Sequence, residues 1–164
     1  MTLKKTTILI VLALFTRCSN KHTHHESSGK DYEYVLPPDW YEVNNHSTRA
    51  DLLIKDSLTN SSINILIDSG DVYLSNQRKC EEIIPSLREM YYDFELIDYE
   101  DFQKDQYRAY DIQFKLSNSP DYRFSSAGIY CDKTVYSLTL TALSENFETD
   151  RLQFREFIRQ LKFE

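Results

Sequence analysis

The chain has 164 residues, 41% of them hydrophobic and 27% charged, with only 3 Gly and 4 Pro. That balance describes a folded protein and excludes collagen-like and low-complexity classes. Net charge is −7 at pH 7, and without Lys4, Lys5 and Arg17 the remaining 16 basic residues face all 26 acids, a net −10. So acidic a body disfavours nucleic acid, whose binding clusters Lys and Arg against phosphates, and disfavours anionic lipid headgroups and other acidic partners.

The first element in chain order is a leader. Lys4-Lys5 is followed by the apolar run Ile8–Phe15, a basic start and a hydrophobic stretch of export-signal length. Eight apolar residues span about 12 Å as a helix, well short of a bilayer core. Leu14-Phe15-Thr16-Arg17-Cys18 resembles the lipobox of bacterial lipoproteins, with Thr16 in pattern, Phe15 in the usual Leu position and Arg17 in place of Gly, Ala or Ser. The resemblance implies cleavage before Cys18 and acylation of its sulfur, so residues 1–17 are expected to be a signal peptide. Residues 18–30 are polar and without apolar periodicity, which predicts a flexible, lipid-anchored tether. His22, His24 and His25 lie in it; such spacing suits Zn or Cu, but a mobile tether gives the ligands no orienting partners, and no metal is expected there.

Residues 31–164 are expected to form one domain. Tyr32–Leu36 alternates as a strand and stops at Pro37-Pro38, followed by Asp39–Val43 with the only Trp, Trp40. Ala50–Asp56 and Ser62–Asp68 predict a hairpin around residues 57–61, with Ile63, Ile65 and Ile67 on one face. Ser75 reads as the N-cap of a helix reaching about Tyr92, with Cys80, Ile83, Ile84, Leu87 and Tyr91 as its apolar stripe and a kink expected at Pro85. Strands follow at Phe94–Phe102 and Gln106–Leu116, the second with Tyr110, Ile112, Phe114 and Leu116 on one side. Tyr122–Cys131 and Thr134–Leu143 then predict a hairpin around Asp132-Lys133. A last helix is expected over Glu148–Lys162, with Phe154, Phe157, Ile158 and Leu161 at core spacing.

Short turns favour antiparallel neighbours, and each helix has a single stripe to lay on a sheet. The expected class is therefore α+β: an antiparallel sheet of about six or seven strands with two helices packed on it. The run Tyr32-Glu-Tyr-Val-Leu-Pro-Pro-Asp-Trp40 resembles the strand–Pro–Trp opening of the PsbP-like (Mog/PsbP) fold, which includes DcrB-type bacterial lipoproteins. Ser62–Ile67, the helix near Leu74-Ser75, Tyr107-Arg-Ala-Tyr110 and the ending Leu161-Lys162-Phe163 are similar too. The resemblance covers residues 31–163 and implies a scaffold, with no catalytic residues to carry over.

Export would place Cys80 and Cys131 in an oxidising compartment. A two-residue turn at Asp132-Lys133 sets Ile129 opposite Tyr136 and Ala127 opposite Leu138, so Cys131 shares their core face. With Cys80 on the stripe of a helix packed on that sheet, both thiols point into one layer and a disulfide is expected, worth roughly 4 kcal/mol by the chain-entropy model. Two separately buried thiols are the alternative.

No nucleophile–histidine arrangement emerges, because outside the tether only His46 is present, in a polar turn. Walker, GxGxxG, HExxH and CxxC motifs are absent from the sequence. Asp98, Glu100, Asp101 and Asp105 cluster in sequence, as do Asp68 and Asp71; a solvated acidic edge that discourages aggregation is the simpler reading. Asn45-His-Ser47 and Asn60-Ser-Ser62 are chance glycosylation sequons in a bacterial lipoprotein. The sequence thus predicts a non-catalytic lipoprotein of the cell envelope, held to the membrane by lipid on Cys18, without cofactor, that binds or scaffolds another envelope protein. The alternative is a module binding a small apolar or aromatic ligand among its 12 Tyr and 9 Phe.

Overall fold

The structure, a computed structural model, describes residues 23–27, 30–43, 50–69, 76–131 and 134–163. Among the described residues, ten strands and two helices run in the order β1 (Thr23–Ser27), β2 (Lys30–Tyr34), β3 (Trp40–Glu42), β4 (Leu52–Asp56), β5 (Ser62–Ser69), α1 (Asn76–Met90), β6 (Phe94–Lys104), β7 (Tyr107–Leu116), β8 (Tyr122–Cys131), β9 (Thr134–Leu143), α2 (Phe147–Gln160) and β10 (Lys162–Phe163). Seven of the strands form one antiparallel sheet in the order β3-β4-β5-β9-β8-β7-β6, and β1-β2-β10 form a second, small one. The expected α+β class and the seven-stranded sheet are both present.

Strand alternation divides the large sheet into two apolar faces. On one, Ile54, Ile63, Ile65, Ala109, Ala127, Ile129, Leu138 and Leu140 pack with Phe147, Phe154, Phe157 and Ile158 of α2 and with Tyr32 and Tyr34 of the small sheet. On the other, Tyr110, Ile112, Phe114 and Leu116 of β7 pack with Ile83, Ile84 and Leu87 of α1. Ile129 lies opposite Tyr136 and Ala127 opposite Leu138, and Cys131 pairs with Thr134 at the end of the hairpin. That is the expected register, although residues 132–133 fall outside the described set.

The two helices therefore lie on opposite faces, and this removes the premise of the expected disulfide. Cys131 is 6% exposed and belongs to the α2 face. The described part of the α1 stripe belongs to the other face, with a sheet between them. No disulfide is found among the described residues; the Cys80 side chain lies outside them.

Two boundaries differ from expectation. Thr23–Ser27, inside the predicted tether, pairs with β2 in register from Thr23↔Tyr34 to Ser27↔Lys30. A strand edge recruits backbone groups whatever their side chains, which is why an aperiodic sequence is found in a strand. The last helix ends at Gln160, because Leu161 turns extended (φ −59°, ψ 137°) and sends Lys162 and Phe163 onto β2 opposite Glu33 and Tyr32. The first helix is described from Asn76, so the predicted cap Ser75 lies outside the description, and Pro85 sits within the helix.

Two local devices fix the sheet near the site. Pro37-Pro38-Asp39-Trp40 closes with a Trp40 N–H to Pro37 carbonyl bond of 3.2 Å, and Asp39 takes φ 67° at the third position. This is the type II geometry that normally calls for Gly or Asn. In mid-sheet, Gly128 on β8 lies directly across from Tyr110 on β7, whose ring covers it. A Cβ built on Gly128 would stand 2.3 Å from Tyr110 Cε1. Gly128→Ala should therefore destabilise the fold by about 1–3 kcal/mol through overpacking. The loss, read from chemical denaturation, should largely vanish in a Tyr110→Ala background.

Candidate functional site

Helix α2 organises the polar chemistry of its face. Phe147, Asp150, Phe154, Phe157 and Ile158 form its buried side, and three polar groups set its position along the sheet. Near its start, Asp150 enters the hairpin between β4 and β5. Ser61 donates to Asp150 Oδ2 at 2.6 Å. The Thr59 hydroxyl lies 2.8 Å from Asp56 Oδ2 and 3.4 Å from Asp150 Oδ2, so it sits between the two carboxylates. Burial pushes the Asp150 carboxyl above the usual carboxylate range, with the charge of Asp56 adding to the rise and the bonds from Ser61 and Thr59 opposing it.

One turn on, Gln153 Oε1 accepts the indole N–H of Trp40, which ties α2 to the strand after the Pro-Pro turn. On the opposite flank Arg151 reaches Asp111, a buried carboxylate in the middle of β7. Asp111 accepts Arg151 Nη2 at 2.8 Å and the Ser125 hydroxyl at 2.5 Å, and Arg155 Nη2 stands 3.6 Å away. Arg155 is itself paired with Glu100 on β6. A carboxylate this deep is tolerated because an arginine and a hydroxyl satisfy it together.

Among the described residues, three shallow clefts open beside α2. The first, about 220 Å³, has Phe102 and Ile158 in its lining and Glu100, Lys104, Arg155 and Arg159 around them. The second, about 480 Å³, lies between Leu36-Pro37-Pro38 and Leu152, Glu156 and Phe157 of α2. The third, about 530 Å³, shares Lys104 and Arg159 with the first and Val35 and Gln160 with the second. The three clefts therefore adjoin one another around the end of the helix. Arg159 Nε and Nη2 clasp Glu156 at 2.7 and 2.6 Å, and these bonds, with one from Gln160, draw the Glu156 carboxyl down to about 2.

Among the described residues, those singled out by sequence do not assemble into a site. Cys18, His22 and His46 lie outside the described residues, while His24 and His25 are in β1. The acidic run splits by strand alternation. Glu100, paired across the sheet with Asp111, is on the α2 face, and Asp101, paired with Tyr110, is on the other. Asp98 accepts from Gln113, and Asp105 occupies the β6–β7 turn at φ 55°. Asp68 is exposed on β5, and Asn60 occupies the β4–β5 turn at φ 61°. Among the described residues no group of three or more His, Cys, Asp or Glu is placed to hold a metal. Sequence reasoning missed Asp111, Arg151 and Arg155. Their signal is a lone acid inside the apolar run Tyr110–Leu116 and two arginines four apart on one flank of α2.

The aromatic rings are mostly used in packing. Tyr32, Tyr34, Phe147, Phe154 and Phe157 are fully buried, and Phe114 stacks on Phe124 with ring centres 5.0 Å apart. No described helix is long and apolar enough to cross a membrane.

No protein-family model matches the chain, and no curated protein sequence matches it either. Solved structures do. Cyanobacterial PsbP from Synechocystis superposes with a TM-score of 0.65 at 11% identity, over 88% of this chain and 94% of that one. LpqN, involved in cell envelope biogenesis of Mycobacterium tuberculosis, gives 0.61 at 17% identity, over 87% and 89%. The Ran-binding protein Mog1p of Saccharomyces cerevisiae gives 0.59 at 12% identity, over 88% and 96%. At these identities what is shared is the PsbP-like fold.

The raised Asp150 carboxyl has a consequence for stability. In the folded state it holds its proton to higher pH than in the unfolded chain, so its contribution is fully present below the ordinary aspartate range and lost as pH rises through the raised value. Asp150→Asn should remove that descending part of the stability–pH profile, as followed by thermal melts from pH 3 to 8. An unchanged profile would show that another group causes the descent.

Proposed function

We propose that the chain is a non-catalytic, lipid-anchored domain of the cell envelope that binds another protein through the outward side of α2. The observation that carries this reading is the set of adjoining clefts along that helix, one of them bordered by Leu152 at 70% exposure and by the Pro37-Pro38 corner. A shallow recess with an exposed apolar residue beside fixed polar groups suits a protein surface better than a small molecule, which needs a concave site that encloses it. The small apolar or aromatic ligand draws less support, since the rings that would line its pocket are packed into the core. A protein-binding role is also in keeping with the Ran-binding neighbour, and an envelope location with LpqN.

Anchoring rests on Cys18 and the leader before it. Metabolic labelling with a palmitate analogue should mark the protein, and Cys18→Ala should abolish the mark; label that persists in the variant rejects the anchor. For binding, a photo-crosslinking residue at Leu152 should give one discrete adduct in intact cells. The same residue at Tyr92, exposed in the turn after α1 on the other side of the sheet, should give none. No adduct at Leu152, or the same ladder from both positions, overturns the proposed surface.

A further inference from the structure

We propose that β1 is a releasable strap, and that its opening and closing on β2 gives the membrane tether two lengths. The inference rests on the lipid-anchor reading of Cys18 and adds a moving part to it.

Strands of a folded sheet are held by ladder bonds and by apolar side chains on at least one face. β1 can use only the first. Its five residues, Thr-His-His-Glu-Ser, include no Val, Ile, Leu, Met, Phe, Tyr or Trp, and it is an edge of the three-stranded sheet, paired with β2 alone. The net gain from a backbone bond is of the same size as the entropy lost in ordering a residue. A ladder without apolar cover is therefore close to balanced, and a two-stranded ribbon alone in water is marginal for this reason.

The register weakens it further. Glu26 lies directly opposite Asp31, and like charges facing each other across a ladder destabilise the pairing. His24 lies opposite Glu33, a carboxylate that Lys162 of β10 engages at 3.4 Å. β2, by contrast, is held without β1. Its Tyr32 and Tyr34 are fully buried, against Tyr136 and Phe157, and its other edge pairs with β10 at Tyr32 and Glu33. Release of β1 thus leaves the rest of the fold in place.

With the strap closed, the free tether runs from Cys18 to Thr23, a contour of about 18 Å. With it open, the tether runs from Cys18 to Lys30 at the start of β2, a contour of about 43 Å. The domain gains about 25 Å of reach from the bilayer without any change in its core.

The test begins with amide hydrogen exchange on the protein extracted from membranes in detergent. Amides of Thr23–Ser27 should exchange within about a hundredfold of an unstructured peptide, and those of β8 and β9 at least about a thousandfold more slowly. Glu26→Lys, which sets a cation opposite Asp31, should slow exchange in β1 about three- to tenfold. His25→Pro, which removes a ladder donor, should abolish protection there and leave the melting temperature unchanged. Reach is read by energy transfer from a fluorescent amino acid at Leu58, which is exposed, to headgroup-labelled phosphatidylcholine vesicles. Transfer should be highest in Glu26→Lys and lowest in His25→Pro. Protection of β1 equal to that of β8 and β9, a melting temperature lowered by His25→Pro, or equal transfer in all three forms each overturns the strap and leaves the anchor standing. A chain that does not associate with the vesicles overturns the anchor, and the two tether lengths with it, whatever the exchange shows.

Discussion

Six consecutive residues of β7, Ala109 to Phe114, are buried. A strand buried without alternation needs cover on both of its faces, and most of the architecture answers that demand. One helix lies on each side, α1 against Ile112 and Phe114, α2 across the face that holds Ala109 and Asp111. The arrangement sets Cys131 and the described part of the α1 stripe on different sides of the sheet. It also leaves α2, rather than α1, as the helix bordered by the small sheet, the Pro-Pro corner and the β6 edge.

The polar groups beneath α2 act as a register. Apolar stripes tolerate sliding, because one Phe packs against Ile or Leu much as another does. Asp150 under the β4–β5 hairpin, Gln153 at Trp40 and Arg151 at Asp111 are three separate contacts on three different strands or turns. Satisfying all of them fixes both the rotation and the translation of the helix. Because breaking a buried pair costs more than making it gains, the wrong registers are penalised more than the right one is favoured. The recess on the outer side inherits this precision, since its walls are the same helix and strands.

Much of the fold was legible in the sequence where periodicity was undiluted. The β8–β9 hairpin was predicted to the residue because two alternating runs flank a two-residue gap, and the β7 face was plain from Tyr110, Ile112, Phe114 and Leu116. The helices showed their stripes but not their sides, since an apolar stripe carries no information about which face of a sheet it will cover. β1 carries no pattern at all; its backbone pairs with a neighbour that happens to offer an edge. The candidate site was the least legible, because Asp111 and Arg151 are 40 residues apart and only the fold makes them neighbours.

The strand formed by Thr23–Ser27 has a consequence for geography. In a chain acylated at Cys18, five peptide steps lead from the lipid-bearing residue to the first residue of β1, a contour of about 18 Å at most. Thr23 lies opposite Tyr34, one residue before Val35 in the recess wall. A partner reaching this surface would meet it within a protein's diameter of the bilayer, so the search between them becomes a two-dimensional one. Proteins embedded in or lying on the same leaflet are then the candidates, and those diffusing freely at a distance are at a disadvantage set by the length of four residues.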